Sequence, residues 1–176
     1  MIGKAASSSQ LNHPVWRAPM NTHILRSASA PVIPALAPVY AALSPLADPL
    51  VRVVAGLFLV PHGAQKLFGW FGGYGLSATD QFFQTKLGLP AGVALAAGLI
   101  EFFGGLALAL GLFTRPAAAL ATGLLLVAAL QVHLGAGFFW SAGGFEYPLL
   151  WAVVTLGYAV KGGGRYSVDA IIGKEI

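Results

Sequence analysis

The sequence predicts an all-α protein, and more specifically a transmembrane four-helix bundle. Hydrophobic residues make up 57% of the chain and charged residues only 9%, whereas a soluble domain carries about 25% charged residues. The sequence also contains four apolar segments close to the length of roughly 17–25 residues that a membrane-spanning helix needs. Three of them open with proline, which suits a first helical turn, and glycines lie at their ends. A membrane barrel would instead show strands of about ten alternating residues.

The first 47 residues differ from the rest. They contain a serine run, several prolines and three basic residues but no acid, so we expect a flexible N-terminal extension (1–47) ahead of a membrane domain (48–176). Three interpretations stay open for this extension. It is a cytoplasmic tail, the product of a misassigned start with Met20 as the true first residue, or an organelle targeting leader.

The predicted spans follow in order along the remaining chain. Asp48 is expected to cap the first helix, whose opening turn would contain Pro49. The loop after this helix is rich in glycine and aromatic residues and should contain a short helix through Phe82 and Phe83 that lies at the membrane interface. The four predicted spans are residues 49–69, 90–113, 116–138 and 147–160.

The placement of Lys and Arg predicts the orientation. Single basic residues lie before or within the first turns of span one, in the turn between spans two and three, and after span four, whereas residues 139–146 have none. The positive-inside rule therefore places both termini in the cytoplasm, and Arg52 and Arg115 are interpreted as topology anchors. Lys66 and Lys86 fall on the outer side against this trend. Because the basic residues are scattered, no nucleic-acid partner is expected.

Glu101 is the one carboxylate inside the second apolar span. A carboxylate at membrane depth usually faces a protein interior or a water-filled cavity. Helical spacing places Glu101 among small residues, and places His62 and Lys66 on the small-residue side of the first helix. Small residues allow close helix approach in membranes, so these sides should face each other, with the Glu101 carboxylate directed toward His62 or Lys66. His62 and His133 should both lie in the half of the bundle nearer the outer face of the membrane.

Each of these residues also has a structural interpretation. Glu101 could form an ion pair that only locks two helices, and Lys66 could extend to the lipid head groups. His62 and His133 could be satisfied interior histidines, and Glu146 could favour a helix N-terminus. No metal site is predicted. The chain has no cysteine, which excludes thiolate ligands, disulfides and cysteine-held iron–sulfur clusters, and two histidines on different helices are unspecific as haem or metal ligands.

Several motifs in a fixed order resemble the DoxX family, over residues 48–176. They are His62-Gly63-Ala64-Gln65-Lys66-Leu67-Phe68-Gly69-Trp70-Phe71-Gly72-Gly73, Phe82-Phe83 followed by Leu87-Gly88-Leu89-Pro90, Glu101-Phe102-Phe103-Gly104-Gly105, Gly111-Leu112-Phe113-Thr114-Arg115, Gly144-Phe145-Glu146-Tyr147-Pro148 and Gly164-Arg165-Tyr166-Ser167-Val168-Asp169. The resemblance implies a small four-helix, multi-pass protein of the bacterial cytoplasmic (inner) membrane. Members are associated with thiosulfate:quinone oxidoreductase and with membrane complexes of oxidoreductases in oxidative-stress defence. The family's recurrent polar positions correspond to His62, Gln65, Lys66, Glu101, Arg115 and Glu146.

Residues and resemblance together predict a membrane subunit of an oxidoreductase system. It would bind a quinone or a small oxidisable compound in the outer half of the bundle, with Lys66 or His62 as hydrogen-bond donor and Glu101 as proton relay. Its partners would be the lipid bilayer and another oxidoreductase subunit. A non-catalytic scaffold and a small-molecule or proton carrier are the alternatives, and whether the chain itself is an enzyme stays open. The candidate site residues are His62, Gln65, Lys66, Glu101, His133 and Glu146.

Overall fold

The computed structural model describes residues 31–174, and this part of the chain is helical and contains no strand. One α-helix is much longer than the others, and three of the shorter ones are continued by other helical turns. The α-helices are α1 (Ala37–Phe68), α2 (Gly75–Leu87), α3 (Val93–Leu99), α4 (Gly105–Leu110), α5 (Thr114–Val127), α6 (Glu146–Lys161) and α7 (Val168–Ile172).

Two π-helical segments interrupt this pattern. The first, Ile100–Gly104, joins α3 to α4 into one continuous rod, and the second, Ala128–His133, extends α5. A π-helical turn holds one more residue than an α-helical turn, so it rotates the side chains that follow it. Short 3₁₀ turns occur at Pro34–Leu36, Trp70–Gly72, Leu134–Ala136 and Trp140–Ala142.

Three helical stretches of the described chain are long and apolar enough to cross a membrane: Pro34–Phe68, Val93–Leu110 and Thr114–Ala136. The fourth predicted span corresponds to α6, whose 16 residues at about 1.5 Å per residue fall somewhat short of a hydrocarbon core of about 30 Å. Helix α6 packs along α5, where the hydroxyls of Thr122 and Thr155 are 2.9 Å apart. Large apolar side chains remain exposed on the outside of these helices, as a lipid-facing surface requires. The predicted all-α transmembrane bundle is confirmed.

The first helix begins earlier than the sequence predicted. It starts at Ala37, so Pro45, Pro49 and Pro61 all lie inside it. Membrane helices tolerate such prolines because neighbouring helices can satisfy the freed backbone groups. The prediction of Asp48 as an N-cap is therefore wrong. Its backbone carbonyl instead accepts a hydrogen bond from the Tyr158 hydroxyl at 2.7 Å.

Contacts divide the chain into two units, Met1–Tyr40 and Ala41–Ile176. The bundle described below belongs to the second. Of the predicted flexible extension (1–47), residues 1–30 lie outside the described residues, whereas residues 37–47 belong to α1. The predicted domain boundary at residue 47 stays a prediction.

Glycines bring the first two spans into close contact, as the sequence predicted. A Cβ atom at Gly56 would overlap the carbonyl oxygen of Gly105, and one at Gly63 would overlap the backbone of Phe102. A Cβ atom at Gly98 would lie 2.7 Å from the Leu67 side chain. Because only glycine fits at these crossing points, α1 and the α3–α4 rod approach closely enough for their polar side chains to meet.

Candidate functional site

Lys66 and Glu101 form an ion pair between α1 and the first π segment. The Lys66 ammonium donates to both carboxylate oxygens, at 2.7 and 2.9 Å, and its third contact, the carbonyl oxygen of His62, is longer at 3.5 Å. Glu101 is 9% exposed. A bidentate, charge-assisted pair of this kind is among the stronger polar interactions in proteins. Of the two partners predicted for the Glu101 carboxylate, His62 and Lys66, the structure shows Lys66.

This pair lies at the wall of a cavity of about 280 Å³ inside the bundle. Most of the wall is apolar, from side chains of α1, α3, α5 and α6, while α2 adds Phe83 and Leu87. The short helix predicted at the interface therefore contributes to the wall. The ionisable and aromatic residues of the wall are His62, Lys66, Glu101, His133, Phe58, Phe83, Trp140, Tyr147 and Trp151.

Four aromatic rings form a connected group along the cavity. Trp140 and Tyr147 have ring centroids 5.0 Å apart, Tyr147 and Trp151 are 6.0 Å apart, and Phe58 contacts Trp151 at 5.4 Å. Edge and tilted contacts of this kind are the preferred geometries of aromatic pairs. The group lines one side of the cavity with apolar ring faces and edges that another ring could contact.

Both π segments contribute an ionisable residue to the cavity. Glu101 lies in the first and His133 ends the second. π-helical turns occur mostly as isolated features and are frequent at functional sites. The α-helical periodicity of the sequence could not reveal either of them, because a single extra residue in a turn leaves no distinct apolar pattern.

The structure brings together four of the six predicted site residues and separates two. His62, Lys66, Glu101 and His133 all line the cavity, whereas Gln65 and Glu146 do not. Gln65 lies in α1, and its amide donates to the carbonyl oxygen of Phe71, in the loop that follows, at 3.2 Å. Glu146 accepts a hydrogen bond from the backbone N–H of Trp140 at 2.7 Å and so stabilises the loop before α6.

A second polar cluster, which we call the closed cluster, consists of Arg52, Thr114, Ser167 and Asp169. Arg52 is only 2% exposed. Its guanidinium donates to the carbonyl oxygens of Leu108 at 2.7 Å, Ala109 at 2.8 Å and Tyr166 at 2.6 Å. The interpretation of Arg52 as a topology anchor did not predict that its side chain is buried or that it has three carbonyl partners.

Asp169 of α7 joins the closed cluster to the turn between α4 and α5. Its carboxylate accepts hydrogen bonds from the backbone N–H groups of Phe113 at 2.8 Å and Thr114 at 2.9 Å, and from the Thr114 hydroxyl at 2.7 Å. Burial alone would raise the pKa of Asp169, but these hydrogen bonds and the nearby Arg52 charge outweigh it and hold the pKa below its ordinary value. Phe113 has a left-handed backbone conformation (φ 47°), which is unfavourable for a non-glycine residue. The hydrogen bond from its N–H to Asp169 helps to hold this conformation.

Among residues 31–174 no group of three or more His, Asp or Glu side chains is arranged to hold a metal ion. Arg115 also corresponds to a recurrent polar position of the family that the sequence resembles. Its guanidinium donates to the carbonyl oxygen of Val160 at 3.0 Å.

Comparison with known proteins identifies the family. The DoxX family profile matches residues 47–134. The chain belongs to the DoxX family. This DoxX protein is also 33% identical, over 125 residues, to the Bacillus subtilis (strain 168) protein named "Putative oxidoreductase CatD", an alignment that covers 71% of this chain and 86% of that protein. No solved structure matches this DoxX protein significantly. Its family and its apolar helices make it a multi-pass membrane protein.

Proposed function

We propose that this DoxX protein is an integral membrane subunit of an oxidoreductase system that binds a quinone or a small oxidisable compound in the cavity. The observation that carries the proposal is the cavity itself, an apolar and aromatic space with the Lys66–Glu101 ion pair in its wall. The name of the Bacillus subtilis relative supports an oxidoreductase role.

The dimensions and chemistry of the cavity suit the head group of such a ligand. Ligand pockets usually enclose about 300–1,000 Å³, so a cavity of about 280 Å³ fits a single substituted ring better than a larger cofactor. The aromatic group would contact the faces or edges of that ring. The ion pair and the two histidines provide polar contacts for its oxygens.

Reduction of a quinone to a quinol consumes two electrons and two protons. Lys66 or His62 would donate hydrogen bonds to the ring oxygens, and Glu101 would pass protons to or from the ligand. The chain contains no cysteine, so it has no thiol relay and no cysteine-held iron–sulfur cluster. We therefore propose that a second oxidoreductase subunit exchanges the electrons.

Fluorescence of the purified protein in detergent tests ligand binding. Trp140 and Trp151 line the cavity, so menadione, a small quinone, should quench tryptophan emission in a saturable manner. Ala128→Phe should weaken this quenching, because Ala128 lines the cavity and a larger side chain would fill it. Leu126→Phe is the matched control, since Leu126 lies on the same helix but is exposed on the outside.

Saturable quenching that Ala128→Phe weakens and Leu126→Phe preserves would support the proposal. Quenching that does not saturate, or that both variants leave unchanged, would show that menadione does not occupy the cavity. Mass spectrometry of the natively purified protein would then show which small molecules or subunits accompany it.

One observation favours the scaffold alternative. Lys66 and Glu101 connect α1 to the α3–α4 rod directly, so the pair can hold two spans together without any ligand. In that case the bundle would serve to assemble oxidoreductase partners in the membrane, and menadione would not bind.

We further propose that the protein lies in a bacterial cytoplasmic membrane with both termini in the cytoplasm. Arg115, Lys161 and Arg165 support this orientation, because they lie at the start of α5 or at the end of α6 and just beyond it. In this cysteine-free chain, Ala142→Cys should react with a membrane-impermeant maleimide added outside spheroplasts, and Arg165→Cys should react only after lysis. The reverse pattern would invert the topology.

A further inference from the structure

The hydrogen bonding of His133 fixes which of its ring nitrogens carries the proton. Its Nδ1 atom lies 2.7 Å from the carbonyl oxygen of Gly143. A carbonyl oxygen can only accept, so Nδ1 must be the protonated nitrogen. In the neutral imidazole the other nitrogen, Nε2, is then a hydrogen-bond acceptor without a proton.

The loop that supplies this carbonyl is itself held in place. The N–H of Gly143 donates to the carbonyl oxygen of Trp140 at 2.8 Å, and the N–H of Phe145 donates to the carbonyl oxygen of Gly137 at 3.0 Å. Glu146 closes the same loop through its contact with the Trp140 N–H at 2.7 Å. Because backbone contacts position the Gly143 carbonyl, the protonation of Nδ1 follows from the fold and needs no ligand.

The ion pair presents both a donor and acceptors to the cavity. The Lys66 ammonium directs two of its donors to the Glu101 oxygens, and its third makes only the long contact of 3.5 Å with the His62 carbonyl, so one N–H of Lys66 and the remaining carboxylate lone pairs can both reach a ligand. Of the other polar groups on the wall, His62 and Tyr147 can donate or accept, and the indoles of Trp140 and Trp151 donate. The Trp151 N–H is buried and has no hydrogen-bond partner among the described residues. His133 Nε2 is an acceptor whose role the Gly143 contact fixes.

We propose that the cavity preferentially binds a hydroxylated aromatic ring, of the hydroquinone or phenol class, whose O–H donates to Nε2 of His133. The inference rests on the proposed function, since it specifies which form of a redox-active ring the cavity binds. A quinone oxygen has no proton and would place its lone pairs against that of Nε2. A hydroxyl group turns the same contact into a hydrogen bond. His133 is thus the residue that distinguishes the reduced from the oxidised ring.

Three small probes with the same ring test this preference. They are trimethylhydroquinone, its dimethyl ether and trimethylbenzoquinone, titrated anaerobically into the detergent-purified protein by isothermal calorimetry. The ether keeps both oxygens but has no O–H to donate. The hydroquinone should bind about tenfold more tightly than either of the others, the factor expected for one net hydrogen bond.

His133→Asn separates the two nitrogens of the ring. The asparagine amide can still donate to Gly143, but it provides no equivalent of Nε2. Hydroquinone affinity should therefore fall to that of the ether, while quinone affinity should stay the same or rise, because the opposing lone pair of Nε2 is gone. His62→Asn is the matched variant because it removes the other histidine of the cavity wall. It should alter the affinity of all three probes by a similar factor and preserve their ratio, since the oxygens of all three accept.

The possible outcomes separate this inference from the proposed function. If none of the probes binds, both fail. If wild-type protein binds all three equally, a redox-active ring still occupies the cavity but the preference for hydroxyl groups is wrong, whether or not the His133 variant folds. A preference that survives His133→Asn and disappears in His62→Asn would also overturn the role of His133.

Discussion

The bundle contains two buried polar regions that differ in what surrounds them. The closed cluster has Arg52 at its centre, and backbone carbonyls of α4 and of the segment before α7 accept from its guanidinium. The open pair, Lys66 and Glu101, lies between the same two spans but borders a cavity, and the Lys66 side chain is 21% exposed. Each region places a basic group between α1 and the rod formed by α3 and α4.

The difference shows that burial of a charge does not by itself indicate function. In the closed cluster the charge serves the backbone, because it donates to carbonyl groups in the last turn of α4, where few helical N–H groups remain to satisfy them. In the open pair the charges satisfy each other and leave one side facing an apolar space. The open pair is therefore the candidate site, and the closed cluster is a structural joint that ties the C-terminal segment to the bundle.

The largest expected effect is the loss of the Arg52 guanidinium. Arg52→Met should remove about 3–5 kcal/mol of stability, because three buried carbonyls lose a charged donor at once. Thermal melting in detergent measures this loss. Arg165→Met is the matched control, since Arg165 is exposed, and it should melt close to wild type. Equal melting temperatures for both variants would refute a structural role for the closed cluster.

The open pair should respond differently when both charges are removed. Glu101→Gln or Lys66→Met alone should cost about 2–3 kcal/mol, since each leaves one partner of a buried pair behind. The double variant should regain most of that stability, because no unpaired charge remains. Menadione quenching should be weakened in all three. If the double variant is as unstable as the sum of the single changes, the two charges do not act as a pair.

Asp169 makes the stability of the closed cluster dependent on pH. Its pKa is lower in the folded protein than the ordinary value of 3.8, so its contribution is present above pH 3.8 and is lost as the pH falls through the folded value. Asp169→Asn should cost about 1–2 kcal/mol at pH 7, because one acceptor oxygen is replaced by a donor. The gap between wild-type and variant melting temperatures should begin to narrow as the pH falls below about 4, near the ordinary Asp value, and should keep narrowing toward the lower folded pKa. If the difference in melting temperature stays constant as the pH falls, other carboxylates cause the acid sensitivity.

The smallest expected effect concerns Glu146, which the resemblance places among the recurrent polar positions. Glu146→Gln keeps an oxygen that can accept from the Trp140 N–H, so stability should change by about 0.5 kcal/mol or less. Because Glu146 does not line the cavity, menadione quenching should match that of wild type. Loss of quenching without loss of stability would place Glu146 in the site after all.

Residue spacing alone predicted much of this arrangement. The apolar lengths predicted the spans, and glycines at helical intervals predicted that α1 faces the second span. Together they predicted that Glu101 would point toward His62 or Lys66. These features follow from local periodicity and residue size, which any stretch of sequence displays. His133 was expected in the same half of the bundle for the same reason, and it lines the same cavity.

Only the tertiary structure decided the roles of the other polar residues. Arg52 and its partner Tyr166 are 114 positions apart in sequence, so no periodicity within one helix could connect them. The π segments that contain Glu101 and His133 leave no distinct pattern in the sequence, and the start of α1 at Ala37 depends on its prolines being tolerated within a helix. The sequence by itself thus determined which residues are polar and which helix faces meet. The hydrogen-bond partners that divide these residues into a closed joint and an open site are contributed by distant segments, and they exist only once those segments are packed together.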